Sequence, residues 1–192
     1  MKRKLLIALS VVAGLGLSNP VAAAEYLIDS AGSHASINFR IIHLGFSWLT
    51  GRFDTFSGAF NFEEGNPGNS TITVKIDTAS VNSNHGKRDN HLRSADFLDV
   101  ASFPTATFVS TSASTTGERT GIVKGNLTLH GVTREIAIDV EYIGGGNDPW
   151  GNFRQGFAGT TSFALADFGI DYDLGPASRI VEMSLHVEGI RQ

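Results

Sequence analysis

Ile72, Val74 and Ile76 alternate with Thr71, Thr73, Lys75 and Asp77, and this period of two leaves the chain few folds to choose from. Such a segment has one apolar and one wet face at strand spacing, which a helix cannot provide. The alternation returns where Val123, Leu127 and Leu129 are set against Lys124, Asn126 and Thr128, and again where Ile136, Ile138, Val140 and Tyr142 are set against Glu135, Asp139 and Glu141. Phe153, Phe157, Phe163 and Leu165 share a parity, as do Val181, Met183, Leu185 and Val187. Adding the strand-like runs 33–42, 51–62 and 105–111, eight strands are expected, with a slip of parity at Phe56-Ser57.

The punctuation makes these strands antiparallel neighbours. Leu129-His130-Gly131-Val132 reads as a hairpin with a two-residue type I′ turn, because His and Gly tolerate the positive φ that this turn demands. Residues 64–69, 144–149 and 173–176 are rich in Gly, Asn, Asp and Pro and are expected to be loops. A closed barrel and a sandwich both accommodate eight sequential strands. The run 153–165 would extend about 40 Å at roughly 3.3 Å per residue, well beyond an ordinary strand, which favours an elongated barrel. The interior of an eight-stranded barrel is either filled by side chains or just wide enough for one small ligand. Thirteen Phe against three Tyr and two Trp make that interior apolar, and Gly125, Gly159 and Thr161 on the inward parities leave room within it.

One segment breaks the pattern. In 82–100 the charges crowd and the period becomes helical: Ser83 or Asn84 is placed to cap a helix, Asp89 and Arg93 form an i, i+4 pair, and Leu92 faces inward with Phe97 and Leu98 following. A helical excursion near 84–100, apolar on one side, is expected to lie across an end of the barrel as a plug or lid.

The front of the chain fixes the compartment. Lys2-Arg3-Lys4, a mostly apolar run from Leu5 to Leu17 and the small residues Val21-Ala22-Ala23-Ala24 describe a secretory signal peptide, cleaved after Ala23 or Ala24. The run is too short to span a bilayer. The expected domains are therefore 1–24, the signal peptide, and 25–192, a single barrel domain in the periplasm. Loss of Lys2, Arg3 and Lys4 leaves 12 basic against 19 acidic residues, a net charge of −7, which argues against a nucleic-acid partner. Cysteine is absent, so no disulfide, thiol nucleophile or thiolate metal site is possible.

Catalytic and metal motifs fare poorly. His85 and His91, six apart, fall about 120° apart around a helix and cannot share an ion as an i, i+4 pair does. Asp171 and Asp173 lack the Gly and distal Glu of a calcium loop. Asp167-Phe168-Gly169 stands without the other kinase motifs, and no Gly-x-Ser-x-Gly elbow exists. No catalytic residue, metal or cofactor is expected.

Four motifs in order, Phe39-Arg40-Ile41-Ile42-His43-Leu44-Gly45-Phe46-Ser47-Trp48, Arg88 to Asp99, Gly125 to Thr133 and Asp148-Pro149-Trp150-Gly151, resemble the YceI-like family of bacterial periplasmic proteins over essentially the whole mature chain. The resemblance implies an extended, lipocalin-like, eight-stranded antiparallel barrel around a long apolar ligand, either a polyisoprenoid such as an isoprenoid quinone or prenyl pyrophosphate or, in some members, a fatty-acid amide. It also implies secretion, frequent homodimers and no assigned catalytic residues. On that basis the leading expectation is a periplasmic binding or carrier protein, not an enzyme. Inward parity nominates Ile37, Phe39, Ile41, Phe60, Leu127, Leu129, Phe157, Phe163, Met183 and Leu185 as ligand-binding, with Leu92, Phe97 and Leu98 at the helical end. Two alternatives stay open: a lipid-directed enzyme with His43, His85 or His91 as base, and a structural or stress-response barrel packed solid.

Overall fold

The computed structural model describes residues 24–192, so the expected signal segment lies, apart from Ala24, outside the described residues. One antiparallel sheet contains β1 (Ala24–Ile28), β2 (Ser36–His43), β3 (Ser47–Phe53), β4 (Phe56–Phe62), β5 (Thr71–Asp77), β6 (Val81–Asn82), β7 (Thr105–Thr115), β8 (Thr120–Leu129), β9 (Val132–Asn147), β10 (Phe153–Ala164) and β11 (Ile180–Arg191). Among the described residues a single α-helix, α1 (Gly86–Arg93), follows β6. The ring runs β1-β4-β5-β7-β8-β9-β10-β11 and closes where β11 returns to β1.

Eleven segments thus make eight barrel positions, because β1 and β2, β3 and β4, and β5 and β6 are halves of broken strands. Long β11 shows how: residues 189–191 pair with β1, while 181–186 pair with β2. The expected eight-stranded antiparallel barrel is the observed one, although its first strand begins earlier than the alternation indicated. The parity slip expected at Phe56-Ser57 is a break at Asp54-Thr55, where Arg52 Nε donates to Asp54 at 2.6 Å. Residues 144–146, expected in a loop, continue β9 to Asn147. Glycine suits this stretch because a Cβ on Gly145 would sit 2.2 Å from Gln155 Oε1 across the ladder, beside a register shift at Gly156/Phe157.

The expected I′ turn is present, with φ of 50° at His130 and 74° at Gly131. The His43–Phe46 turn has the same signature, at Leu44 (52°) and Gly45 (83°). The two glycines differ in what surrounds them. A Cβ on Gly131 would meet Phe103 Cε1 at 2.5 Å, whereas on Gly45 the nearest atom is Ala177 Cβ at 3.9 Å. Gly131→Ala is therefore expected to cost about 2–3 kcal/mol and Gly45→Ala about 1 kcal/mol in urea unfolding. Equal costs would show that Phe103 does not press on the turn.

The segment after β6 caps one end of the barrel, but its details differ from expectation. The N-cap is His85, whose Nδ1 accepts from the Arg88 N–H, rather than Ser83 or Asn84. Ser83 is buried and instead donates both its N–H and its hydroxyl to Asp89 Oδ1. Arg93 does not close an ion pair with Asp89; its guanidinium donates to the carbonyls of Ala79 and Val81 at 2.7 Å each, tying α1 to the sheet. Those carbonyls need donors because the ladder is broken between β5 and β6.

Candidate functional site

The interior holds a cavity of about 460 Å³, walled almost entirely by aliphatic and aromatic side chains. From the expected set, Ile37, Phe39 and Ile41 on β2, Leu127 and Leu129 on β8, Phe163 on β10 and Met183 and Leu185 on β11 face it. Leu92, Phe97 and Leu98 close it at the helical end. Sequence parity overlooked the contributions of Leu49, Phe53, Ile72, Ile76 and Phe108, although Ile72 and Ile76 lie on a parity that was legible.

Phe60 and Phe157 are placed elsewhere. They belong to an aromatic cluster beyond the end of the cavity opposite α1, and so are not on its wall. Tyr26 stacks on Phe60 with ring centres 4.9 Å apart. Phe157 sets its edge against Phe60 at 5.6 Å and Phe62 at 5.1 Å, and lies 5.4 Å from Tyr142.

The glycines have a role opposite to the one expected of Gly125. A Cβ there would meet Phe108 Cζ at 2.5 Å, so the space is taken by a ring. Phe39 lies over Gly51 in the same way, at 2.3 Å, and Phe60 over Gly189, also at 2.3 Å. At Gly159 the neighbours are Ile138 and Leu185. Rings laid across a glycine of the next strand, as at Gly125 and Gly51, lie against the wall, which keeps the centre of a narrow barrel clear; Phe60 instead reaches past β1 to Gly189 on β11.

Most of the polar residues on the wall lie near the cap, with Thr161 and His186 further along the barrel. Arg88 donates from Nε and Nη2 to Ser83 Oγ and O at 2.7 and 2.6 Å. His91 Nε2 is 2.8 Å from Asp96 Oδ2, and its ring packs edge-on to Phe97 and Tyr172 at 5.0 Å. His43 and Ser178 complete this rim. Burial opposes the charge on Asp89, but the two bonds from Ser83 and the charges of Arg93 and Arg88 outweigh it and hold its carboxyl below the usual range. Of the histidines weighed as bases, His85 is engaged in the helix cap and His91 in the Asp96 contact.

A second polar cluster lies toward the other end, on the outer side of β10. Arg154 Nη1 donates to Asp29 at 2.7 Å and Glu188 at 2.6 Å, and its Nε donates to Asp148 at 2.6 Å. Asp29, His34 and Glu188 offer ligand atoms within 4.8 Å of one another, the spacing of a cation site. The guanidinium already bonds two of those three groups, so the charge a metal would supply is present. A larger, open depression of about 1370 Å³ on the outer face is polar, and its Arg40 and Glu182 pair at 2.7 Å.

A model of the YceI-like domain matches residues 26–189 of this barrel. The chain belongs to the YceI-like family. It is 50% identical to a UPF0312 protein of Shewanella baltica over the full length of both chains. A UPF0312 protein of Ectopseudomonas mendocina is 55% identical over 88% of this chain and 89% of its own. The solved YceI protein of Campylobacter jejuni superposes with a TM-score of 0.71 at 27% identity, covering 79% of this chain and 90% of that one. Burkholderia cenocepacia BcnA (TM-score 0.74, 21% identity, 84% and 98% covered) and a polyisoprenoid binding domain from Saccharophagus degradans (0.64, 18%, 88% and 99%) share the fold.

Proposed function

We propose that this YceI-like protein is a periplasmic binding or carrier protein for a long apolar lipid, a polyisoprenoid such as an isoprenoid quinone or prenyl pyrophosphate, held inside the barrel. The observation that carries the proposal is the cavity itself, with predominantly apolar walls and Arg88, His91, His43 and Ser178 at the capped end. Burial of apolar surface contributes roughly 25 cal/mol per Å², so a tail binds there with few polar contacts. Arg88, His43 and His91 at the rim suit an oxygen-bearing head, with Arg88 supplying positive charge for a phosphate. The polyisoprenoid-binding description of the Saccharophagus degradans domain supports the choice of isoprenoid. Export rests on the signal-like residues 1–24.

The test is to express the full chain, purify it from the periplasm without detergent, and analyse a solvent extract by mass spectrometry against a denatured control. A stoichiometric isoprenoid or acyl species is expected, with a mature N-terminus at Ala24 or Glu25. No bound lipid, even after incubation with quinones and prenyl phosphates, would refute the binding proposal; recovery of the unprocessed chain in the cytoplasm would refute export.

A further inference from the structure

The hairpin of β2 and β3 presents three large apolar side chains to solvent at its turn: Leu44, Phe46 and Trp48 are 55%, 85% and 45% exposed. Turn chemistry does not ask for them. A type I′ turn favours Asn, Asp or Gly where φ is positive. Among the described residues the other non-glycine positions with positive φ are Ser33, Asn84, Asp99 and His130, all polar, and Leu44 alone adopts this conformation with an apolar side chain. An exposed leucine there suits neither the backbone nor solubility. His130, at the equivalent place in the other I′ turn, has its Nδ1 3.2 Å from the Phe168 carbonyl and its ring against Phe103. Leu44 instead donates its N–H to Ser178 Oγ at 3.4 Å and lies on the cavity wall. Being both exposed and part of that wall, it makes the turn one lip of the mouth. Tyr172, 46% exposed, stands on the same rim against His91 and Phe97.

We propose that the β2–β3 turn docks the mouth of the barrel on a phospholipid bilayer, with Leu44 and Phe46 inserted at the acyl boundary and Trp48 at the level of the headgroups. The proposal rests on the lipid-binding function above and deepens it by naming the surface from which the cargo enters. Two observations select a bilayer over a protein partner. The turn is continuous with a cavity suited to an apolar tail, and a tail passing directly from bilayer to barrel never crosses water. A stable protein contact buries roughly 800 Å² on each side, whereas a large aromatic side chain supplies only about 150–250 Å², so three side chains at a turn fall short of it. Trp48 packs against the Arg40 guanidinium, 4.2 Å from the ring centre, an aromatic–cation pair suited to the membrane–water interface. Beyond the Ile42–Trp48 pair the hairpin continues for two residue steps to Leu44, or about 7 Å at roughly 3.3 Å per residue, the depth of an interfacial anchor. Charges of both signs surround the turn, since Arg40 is paired with Glu182 and Asp171 and Asp173 flank Tyr172. The attraction is therefore apolar, and a zwitterionic surface suffices.

The test is flotation of the protein purified from the periplasm with phosphatidylcholine vesicles free of cargo. The wild type is expected to float with the vesicles to the same extent at low and high salt. Phe46→Ser should lower the partition coefficient by about tenfold. Leu44→Asn should also lower it while leaving the melting temperature equal or higher, because asparagine suits a type I′ turn. Trp150→Ser is the control: it removes a side chain 78% exposed in the β9–β10 turn, at the other end of the barrel, and should leave flotation unchanged. Phe46→Ser should also slow uptake of a prenol presented in vesicles by about tenfold. Uptake of the same prenol added from ethanol should keep the wild-type rate, since Phe46 is not on the cavity wall. Absence of flotation by the wild type, or equal flotation of the wild type, Phe46→Ser and Leu44→Asn, overturns the docking proposal and leaves lipid binding standing. If Phe46→Ser converts a dimer to a monomer with flotation unchanged, the turn is a protein interface and the docking proposal is likewise overturned. Flotation without uptake of prenol from either source overturns the lipid-binding function and not the docking.

Discussion

Arg154→Met is expected to lower the melting temperature at pH 7 by on the order of 10 °C. Three carboxylates converge on this one guanidinium, and the side chains of Asp29 and Asp148 are only 9% and 7% exposed. They come from distant parts of the chain: Asp29 from the break between β1 and β2, Asp148 from the β9–β10 turn, and Glu188 from β11. Arg154 therefore holds closed a stretch of wall where the sheet ladder is interrupted. Removing it leaves two largely buried carboxylates without their shared cation. Asp148 also accepts the backbone N–H groups of Trp150 and Asn152, so the turn loosens with the ion cluster. Arg40→Met is the control. The Arg40–Glu182 pair is 51% and 39% exposed, and its loss should move the melting point by only a degree or two. Equal effects of the two substitutions would mean that Arg154 is one more surface charge.

Acid should expose the same cluster. The hydrogen bond with His34, then the one from Arg154, holds the Asp29 carboxyl at about 2, against an ordinary 3.8. Asp148 is lowered too, chiefly by Arg154, and Arg154 is raised by Asp148, Asp29 and Glu188 in turn. A carboxyl depressed in the fold contributes stability that is complete above its unfolded value and is lost as pH falls through its folded one. Melting temperatures of the wild type should accordingly decline between about pH 4 and pH 2, and in Arg154→Met, where the folded carboxyls move back toward their unfolded values, this decline should be shallower. A variant with an acid limb as steep as that of the wild type would count against the assignment.

The barrel was legible because alternation is a local signal, repeated in segments such as Thr71–Asp77 and Ile136–Tyr142, while short turns such as His130-Gly131 left antiparallel neighbours as the economical topology. What sequence parity could not distinguish was how an inward ring lies. Phe39 and Phe60 both point inward, yet one is on the cavity wall and the other in the cluster that ends it. The difference depends on cross-strand partners and depth along the axis, which belong to register and not to the local pattern. Gly125 was misread for the same reason, since the ring that covers it belongs to Phe108, seventeen residues earlier in the chain. The Arg154 cluster had no local signature at all: Asp29 and Arg154 are 125 positions apart. In the cap, Ser83 is a plausible N-cap by residue type, but the buried carboxylate of Asp89 claims it and His85 takes the end of the helix.

Leu127→Trp should abolish lipid occupancy while leaving the barrel folded. Leu127 is 8% exposed and faces the cavity from β8, with Phe108 and Arg134 as its cross-strand partners. An indole at this position occupies space that the proposed tail would use, and a tail without room must give up several buried methylenes at about 0.8 kcal/mol each. Binding to a prenol that the wild type accepts should fall by more than a hundredfold. Stability separates the two interiors that the sequence left open. In a solidly packed core, added bulk forces strained rotamers and backbone shifts costing about 1–3 kcal/mol. In a barrel with a central cavity the ring has somewhere to go and buries apolar surface of its own, so unfolding free energy should change by less than about 1 kcal/mol. A folded Leu127→Trp protein with wild-type occupancy would remove Leu127 from the binding wall. Loss of folding together with occupancy would instead point to a packed interior, because only there does every added methylene have to displace another side chain.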